Sequence, residues 1–406
     1  MTNQQLDIYG NTFLTTPTTQ GIKYVGSKLK ILPYIVEILS GLKDIKKVLD
    51  GFTGTTRVAQ ALAQLDYDVT ASDISVWSEV FANCYLKSNK PDKFYQDIIN
   101  RLNSLKGYDG WYTKYYGGEL TGDNKRPFQA KNTRKLDAIR DEIEKLNLEW
   151  VDRCVILTSL IYALDSVDST LGHYVAYLLK WSPRSHNDLI LKLPKRFKSE
   201  GKHKVIQGDI FETIANDEYD LAYFDPPYGS NNEKMPPSRV RYASYYHIWT
   251  TIIKHDKPVV FGKVNRREDS RDQVASSVFE EFRKDDNGSF IAMRALRKLI
   301  METKAHYILL SYSSGGRATK QELNGIINES GKLLKVVEID YKKNVMGNMR
   351  WTNEWVNSDG KYHEYLFLME KTNKRNSMWH VNKIGEFSKS AEKIIVPTYT
   401  NKILYF

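Results

Sequence analysis

Asp220-Leu221-Ala222-Tyr223-Phe224-Asp225-Pro226-Pro227-Tyr228-Gly229 reads as a short apolar strand that ends in an acid and runs straight into two prolines. Paired prolines after a strand end enforce a rigid, extended turn, and lacking N–H groups they leave carbonyls that need a donor from elsewhere. An acid, a fixed carbonyl and an aromatic face on one such turn can grip a planar ring that bears an exocyclic amine. The Asp225 carboxylate and the Pro226 carbonyl each accept one N–H, Pro227 completes the stiff turn, and the Tyr228 ring stacks on the heterocycle. With both protons held, the nitrogen moves toward tetrahedral character and exposes a lone pair that conjugation otherwise withholds. This is positioning and electrostatics, without a covalent intermediate. The bland alternative is an ordinary Pro-Pro turn. Placement after an apolar strand, downstream of a glycine-containing strand-to-helix turn, favours the site.

That upstream turn is Asp50-Gly51-Phe52-Thr53-Gly54-Thr55-Thr56, which follows the short strand Lys47-Val48-Leu49. Val58, Leu62 and Leu65 continue as a helix, and Tyr67 to Asp73 reads as the next strand, again ending in an acid. Strand, loop, helix, strand starts a βαβ unit and predicts an α/β fold with a parallel sheet. Small residues in the turn let a ligand approach the backbone, and Asp73 is placed to accept ribose hydroxyls. The full G-x-G-x-x-G is missing, because Thr56 and Ala59 stand where glycines would be. A nucleoside site is therefore favoured over a pyrophosphate cradle. The sheet resumes at Lys204–Asp209, and later strand candidates are Pro258–Phe261, His306–Leu310, Leu334–Glu338 and Tyr365–Met369. With no long helix expected among them, the C-terminal sheet edge is read as antiparallel.

Between these halves, about Tyr85 to Arg196, the pattern is helical and loop-like. It contains the aromatic run Tyr108, Trp111, Tyr112, Tyr115 and Tyr116, read as base contacts or as a small satellite core. Basic residues cluster at Lys125–Lys135 and again at Lys192–Lys204. The chain's 59 Lys+Arg against 49 Asp+Glu leave a net charge of +10, which points to a polyanion and first to nucleic acid. The 26 tyrosines and 8 tryptophans suit stacking on bases. Mean hydropathy of −0.50 and frequent charges leave no apolar run that spans a bilayer. The first residues, Met1 to Phe13, lack the features of a signal peptide. Two cysteines, Cys84 and Cys154, exclude a disulfide scaffold and favour a reduced, cytoplasmic setting. No spacing suggests a metal site.

Taken in order, these motifs resemble the D12 class of S-adenosylmethionine-dependent DNA adenine-N6 methyltransferases, alpha-group and Dam-like. Tyr24-Val25-Gly26-Ser27-Lys28 resembles the N-terminal cofactor motif, Asp50–Thr56 the Asp-x-Phe-x-Gly-x-Gly loop, and Asp225–Tyr228 the catalytic Asp-Pro-Pro-Tyr. His306–Gly315 resembles a late motif on a strand lining the target-base pocket. The resemblance implies a Rossmann-like class I methyltransferase sheet, mostly parallel with an antiparallel edge, plus an inserted, mainly helical target-recognition domain. It implies a catalytic domain over 20–84 and 203–372, a DNA-binding insertion over 85–202, and an extension of unknown role over 373–406. It assigns Asp225, Pro226, Pro227 and Tyr228 to catalysis. It assigns Tyr24, Lys28, Asp50, Phe52, Gly54, Thr55, Asp73, Asp209 and Asp225 to cofactor binding, with Asp73 on the ribose and Asp209 on the adenine.

The expected reaction is transfer of a methyl group from S-adenosylmethionine to a flipped-out adenine in double-stranded DNA. The expected setting is restriction–modification, beside a cognate endonuclease it does not touch, with a solitary methylase left open; it is cytoplasmic and nucleoid-associated through DNA. A monomer or weak dimer, no membrane and no metal complete the expectation. The polar loop Ser230–Ser238 and the following Arg239, Arg241, Tyr242, Tyr245, Tyr246 and His247 are read as closing over DNA or the extruded base. Cytosine N4, RNA adenine and protein glutamine stay open as planar-amine targets, as does a non-catalytic DNA-binding role.

Overall fold

Val48 and Leu49 are fully buried in strand β1 (Lys47–Asp50), the apolar start of the βαβ unit. Helix α1 (Leu32–Ser40) precedes it, opened by Pro33 and closed at Gly41. Helix α2 (Arg57–Gln64) and strand β2 (Asp68–Asp73) follow, and β2 pairs parallel to β1. Next comes helix α3 (Val76–Ala82). The computed structural model describes residues 4–6, 12–121, 125–229, 241–271, 277–341 and 362–372. The extension 373–406 and the loop Ser230–Ser238 with Arg239 lie outside the described residues.

The segment after α3 carries α4 (Asp92–Ser104), α5 (Trp111–Tyr116), α6 (Ala130–Lys145) and α7 (Trp150–Asp165). From Ser166 to His203 it is irregular apart from one short 3-10 turn, Pro183–His186. The sheet then resumes with β3 (Lys204–Gln207), helix α8 (Ile210–Asn216) and β4 (Tyr219–Phe224). Beyond the Pro-Pro turn lie α9 (His247–Lys254), α10 (Ile291–Glu302), β5 (Ala305–Ser313), α11 (Lys320–Ser330), β6 (Gly331–Tyr341) and β7 (Tyr362–Lys371).

The seven strands form one sheet in the order β6-β7-β5-β4-β1-β2-β3. Pairings from β5 through β4, β1 and β2 to β3 are parallel, and β7 runs against both β5 and β6. This is the mostly parallel sheet with an antiparallel edge that the class I methyltransferase expectation requires. The strand order reverses at β1 and β4, so the crevice beyond their carboxyl ends is the ligand position of such a sheet. Asp50, Asp73 and Asp225 stand at the ends of β1, β2 and β4.

Two expectations change. Val260–Phe261 is not part of this sheet but pairs with Arg266–Arg267 in a surface hairpin. Val259 is 76% exposed there, and the guanidinium groups of Arg266 and Arg271 cover the Phe261 ring. The antiparallel edge begins only at β7, because α10 and α11 are long enough to carry crossovers and β5 stays parallel to β4.

The helices of 85–202 share their core with flanking elements. Tyr95, Ile99, Leu136, Ile139, Leu157 and Leu160 belong to one apolar cluster with Trp77, Val80 and Phe81 of α3 and Ile248, Trp249 and Ile252 of α9. Gly51 marks a tight point in the sheet. A Cβ added to it would sit 2.6 Å from the Phe224 ring and 3.0 Å from Ile210. Gly51→Ala should therefore lower stability by about 1–3 kcal/mol through overpacking, read as a fall in melting temperature. An unchanged melt would show that the Phe224 ring yields freely.

Candidate active site

The Pro-Pro turn is held from behind. Arg317 donates its backbone N–H to the Tyr228 carbonyl at 2.9 Å, and the Tyr312 hydroxyl donates to the same carbonyl at 3.2 Å. Gly229 takes a positive φ of 62°, and a Cβ there would strike the Arg317 side chain. Pro226 is buried. Among the described residues, no hydrogen bond reaches the Pro226 carbonyl or Asp225 Oδ2. Two acceptors on one rigid turn thus have no donor among the described residues.

Asp225 Oδ1, in contrast, is engaged. The Lys28 ammonium lies 2.9 Å from it, and the Tyr228 hydroxyl closes on the same oxygen. Lys28 also reaches Glu364 Oε1 at 2.8 Å and the Tyr228 oxygen at 2.7 Å. Glu364 Oε1 accepts further from the Tyr228 hydroxyl at 2.5 Å and from Ser311 Oγ at 2.8 Å. Two carboxylates therefore share one ammonium and one phenol, with side-chain exposures of 11% for Lys28, 15% for Asp225 and 10% for Glu364. Burial pushes the Asp225 carboxyl up to about 6; Lys28 opposes the rise and Glu364 adds to it. Burial acts against the charged form of Lys28, yet its two carboxylates hold the ammonium above its ordinary range.

The cofactor-motif residues gather at the neighbouring strand ends. Asp50 Oδ2 accepts from the Thr53 hydroxyl at 2.8 Å and from the Ala59 N–H at 3.0 Å, which ties the loop to α2. Asp50 Oδ1 is buried without a hydrogen-bond partner among the described residues. Burial raises this carboxyl to about 7 against the pull of those two bonds. Asp73 accepts from the Gly54 N–H at 2.9 Å and the Ser75 N–H at 2.8 Å, so it fixes the loop as well as ending β2. Gly54 has φ of 52°, and a Cβ there would lie 3.3 Å from the Tyr24 ring. Thr55 is buried beside it. Thr56 keeps the left-handed backbone, φ 64°, that glycine would adopt freely. Its hydroxyl donates to the Thr55 carbonyl at 2.7 Å and accepts from Gln60 at 2.9 Å. Phe52 packs edge-on to Phe224 and Phe279. Asp209 caps α8, accepting from the Phe211 N–H at 2.7 Å. Lys28 stands with the Pro-Pro turn rather than with this loop.

The family model for D12 class N6 adenine-specific DNA methyltransferases matches residues 24–313, a span that holds Tyr24, Asp50, Asp73 and the Pro-Pro turn. The chain belongs to this family. The methyltransferase is 27% identical over 370 residues to modification methylase StsI of Streptococcus sanguinis, covering 86% of this chain and 52% of that protein. It is 28% identical over 363 residues to type II methyltransferase M.NlaIII of Neisseria lactamica, covering 86% of this chain and 100% of that protein. M.FokI of Planomicrobium okeanokoites is 24% identical over 368 residues, and the chain spans 53% of it. The chain thus covers about half the length of two of these relatives and the whole of the third.

Sequence reasoning missed Glu364, which lies beyond the matched span of the methyltransferase model. The available signal was an acid inside the apolar strand His363-Glu364-Tyr365-Leu366-Phe367. The aromatic run resolves mainly as core: Tyr112 and Tyr116 are buried, Trp111 and Tyr115 pack against the same cluster, and exposed Tyr108 donates to Asp141. Several expected DNA cations are engaged within the chain. Lys131 pairs with Asp188, Arg134 with Asp109 and Glu119, Arg196 with Asp92, and Lys135 donates to two carbonyls. Of the residues after the loop Ser230–Ser238, Tyr242 and Tyr246 stack on Tyr24. His247 is a core residue, its pKa lowered to about 3 by burial. Cys84 and Cys154 are buried, and burial raises the Cys84 thiol to about 12. Among the described residues no group of side chains is arranged for a metal ion, and no helix is long and apolar enough to cross a membrane.

Proposed function

We propose that this methyltransferase transfers a methyl group from S-adenosylmethionine to the N6 amine of an adenine flipped out of duplex DNA. The observation that carries the reading is a pair of acceptors without a donor among the described residues, Asp225 Oδ2 and the Pro226 carbonyl, on a turn held rigid from behind. An exocyclic amine offers two N–H donors to such a pair. A flipped base is needed because a stacked one cannot enter a crevice at the end of the sheet. Tyr228 supplies the stacking face. S-adenosylmethionine, when bound, supplies an activated sulfonium methyl. The residues fit a cofactor with a cationic and a nucleoside end. The unpartnered Asp50 Oδ1 suits a donor, Gly54 admits close approach, and Asp73 ends β2 with lone pairs left for hydroxyls. Tyr24, Lys28, Phe52, Thr55, Asp209 and Asp225 complete that set in this reading.

Residues 20–84 and 203–372 form the catalytic domain in this proposal, and 85–202 recognise the target. The names of the relatives, modification methylase and type II methyltransferase, support a protective role beside a restriction endonuclease. The test is incubation with labelled cofactor and duplex DNA, followed by digestion to nucleosides. Label in N6-methyldeoxyadenosine is expected; label in N4-methyldeoxycytidine, RNA or protein would move the reading to another planar amine.

The ionised Asp225 carboxylate is the stronger N–H acceptor and stabilises the charge that develops on the amine, so the reaction favours that form. With its pKa raised to about 6, the single-turnover rate should climb as pH rises through about 6 and level off above it. A rate that is flat from pH 5 to pH 8 would show that Asp225 does not titrate in the reacting complex.

A further inference from the structure

Glu364 lies on β7, outside the family-matched span, and no motif of the sequence reading assigns it. It is a buried acid on an apolar strand, and its neighbours Leu366 and Phe367 are fully buried. Burying a carboxylate costs several kcal/mol unless it is paired and hydrogen-bonded. Here it collects three partners on one oxygen, Lys28, Tyr228 and Ser311, from three different elements. Lys28 has three N–H donors and spends them on Glu364, Asp225 and the Tyr228 oxygen.

Without Glu364, the ammonium would face one carboxylate only. A lone ammonium beside a lone carboxylate can span both of its oxygens, and Oδ2 is the oxygen that the proposed function reserves for the target amine. We propose that Glu364 is a positioning residue: it holds Lys28 and the Tyr228 hydroxyl on its own side and so keeps Asp225 Oδ2 open for the N6 amine. This rests on Asp225 being the amine acceptor.

The groups facing Asp225 are Lys28, Glu364 and Tyr228, with Asp50, Tyr223 and Tyr242 further off. Only Lys28 among them is a cation, so loss of the Glu364 charge leaves Asp225 more fully under its influence. In Glu364→Gln the single-turnover rate at pH 8 should fall by about 10- to 100-fold, the usual cost of losing a group that orients another and less than that of a group touching the reacting centre. Its acid limb should move below the wild-type position, because Glu364 raises Asp225. Binding of S-adenosylmethionine and of duplex DNA should stay within about twofold. Glu364→Asp, which keeps the charge on a shorter stem, should hold the limb near the wild-type position and lose less rate. A Glu364→Gln rate within twofold of wild type overturns the inference. So does a loss with an unmoved limb, or equal behaviour of the Gln and Asp variants, since a merely structural role would produce those. If the Gln variant does not fold, the limb of the Asp variant decides: a shift would overturn the inference. Asp225→Ala in the same assay separates the two layers. Full methylation there sinks the Asp225 reading itself. Loss there, with a wild-type Glu364→Gln, sinks only the role of Glu364.

Discussion

Asp225→Ala should reduce the single-turnover methylation rate by about three orders of magnitude while the protein stays folded. The rate expectation follows from removing a preorganised acceptor at the reacting nitrogen, an effect typically worth 10²–10³ in kcat, with loss of the lone-pair exposure added. The folding expectation follows from the cluster. Lys28 keeps its 2.8 Å partner Glu364, so no buried ammonium is left alone. The Pro226 carbonyl and the Tyr228 ring remain, held by Arg317 and Tyr312, so base binding should change less than rate. Rate measured at saturating DNA, beside a thermal melt, checks both halves. Retained methylation would remove Asp225 from the chemistry; an unfolded protein would show that the turn depends on the Asp225 ion pair.

Lys28→Met should have the largest effect on stability, about 3–5 kcal/mol at pH 8, the usual cost of stripping a buried charge of its partner. Two carboxylates, Asp225 and Glu364, would then face each other across the Tyr228 hydroxyl, whose one proton serves one acceptor at a time. Their folded pKa values would rise above the unfolded ones. For a raised carboxyl, the folded state binds the proton more tightly, so stability is present at low pH and lost as pH rises through the folded pKa. The gap between Lys28→Met and wild type should therefore be wide at pH 8 and narrow toward pH 5. Melting temperatures at both values test this. A gap that is constant with pH would mean that Lys28 does not compensate these charges.

Much of the scaffold was legible because its signals are local. Val48 and Leu49 running into Asp50-Gly51, and Leu221–Phe224 running into Asp225-Pro226, are strand and turn chemistry within ten residues. They gave the parallel centre of the sheet and the two strand ends that carry the site. The placement of Lys28 was not local. Its ammonium meets Glu364, 336 residues away in the chain. Nothing in the spacing of an acid on a strand paired on both sides announces such a partner. The aromatic run was left open between base contacts and a small core, because Tyr112 and Tyr116 have the composition of either, and packing against α9 decides for core. The helices α10 and α11 were overlooked because short apolar strands on either side dominated the pattern, and with them went the parallel pairing of β5.

The shared core of α3, α9 and the helical segment bears on how specificity can change. If the helices of 85–202 read the target, they cannot be exchanged between methylases as a self-contained cassette. Cutting at the segment's ends would strip the cover from Trp77, Phe81, Ile248 and Trp249, all now buried, and leave an aggregation-prone apolar face. A chimaera with a new recognition sequence would have to carry α3 and α9 along, or redesign their inward faces. New specificities in this scaffold would then arise more readily by altering exposed loops than by shuffling whole segments.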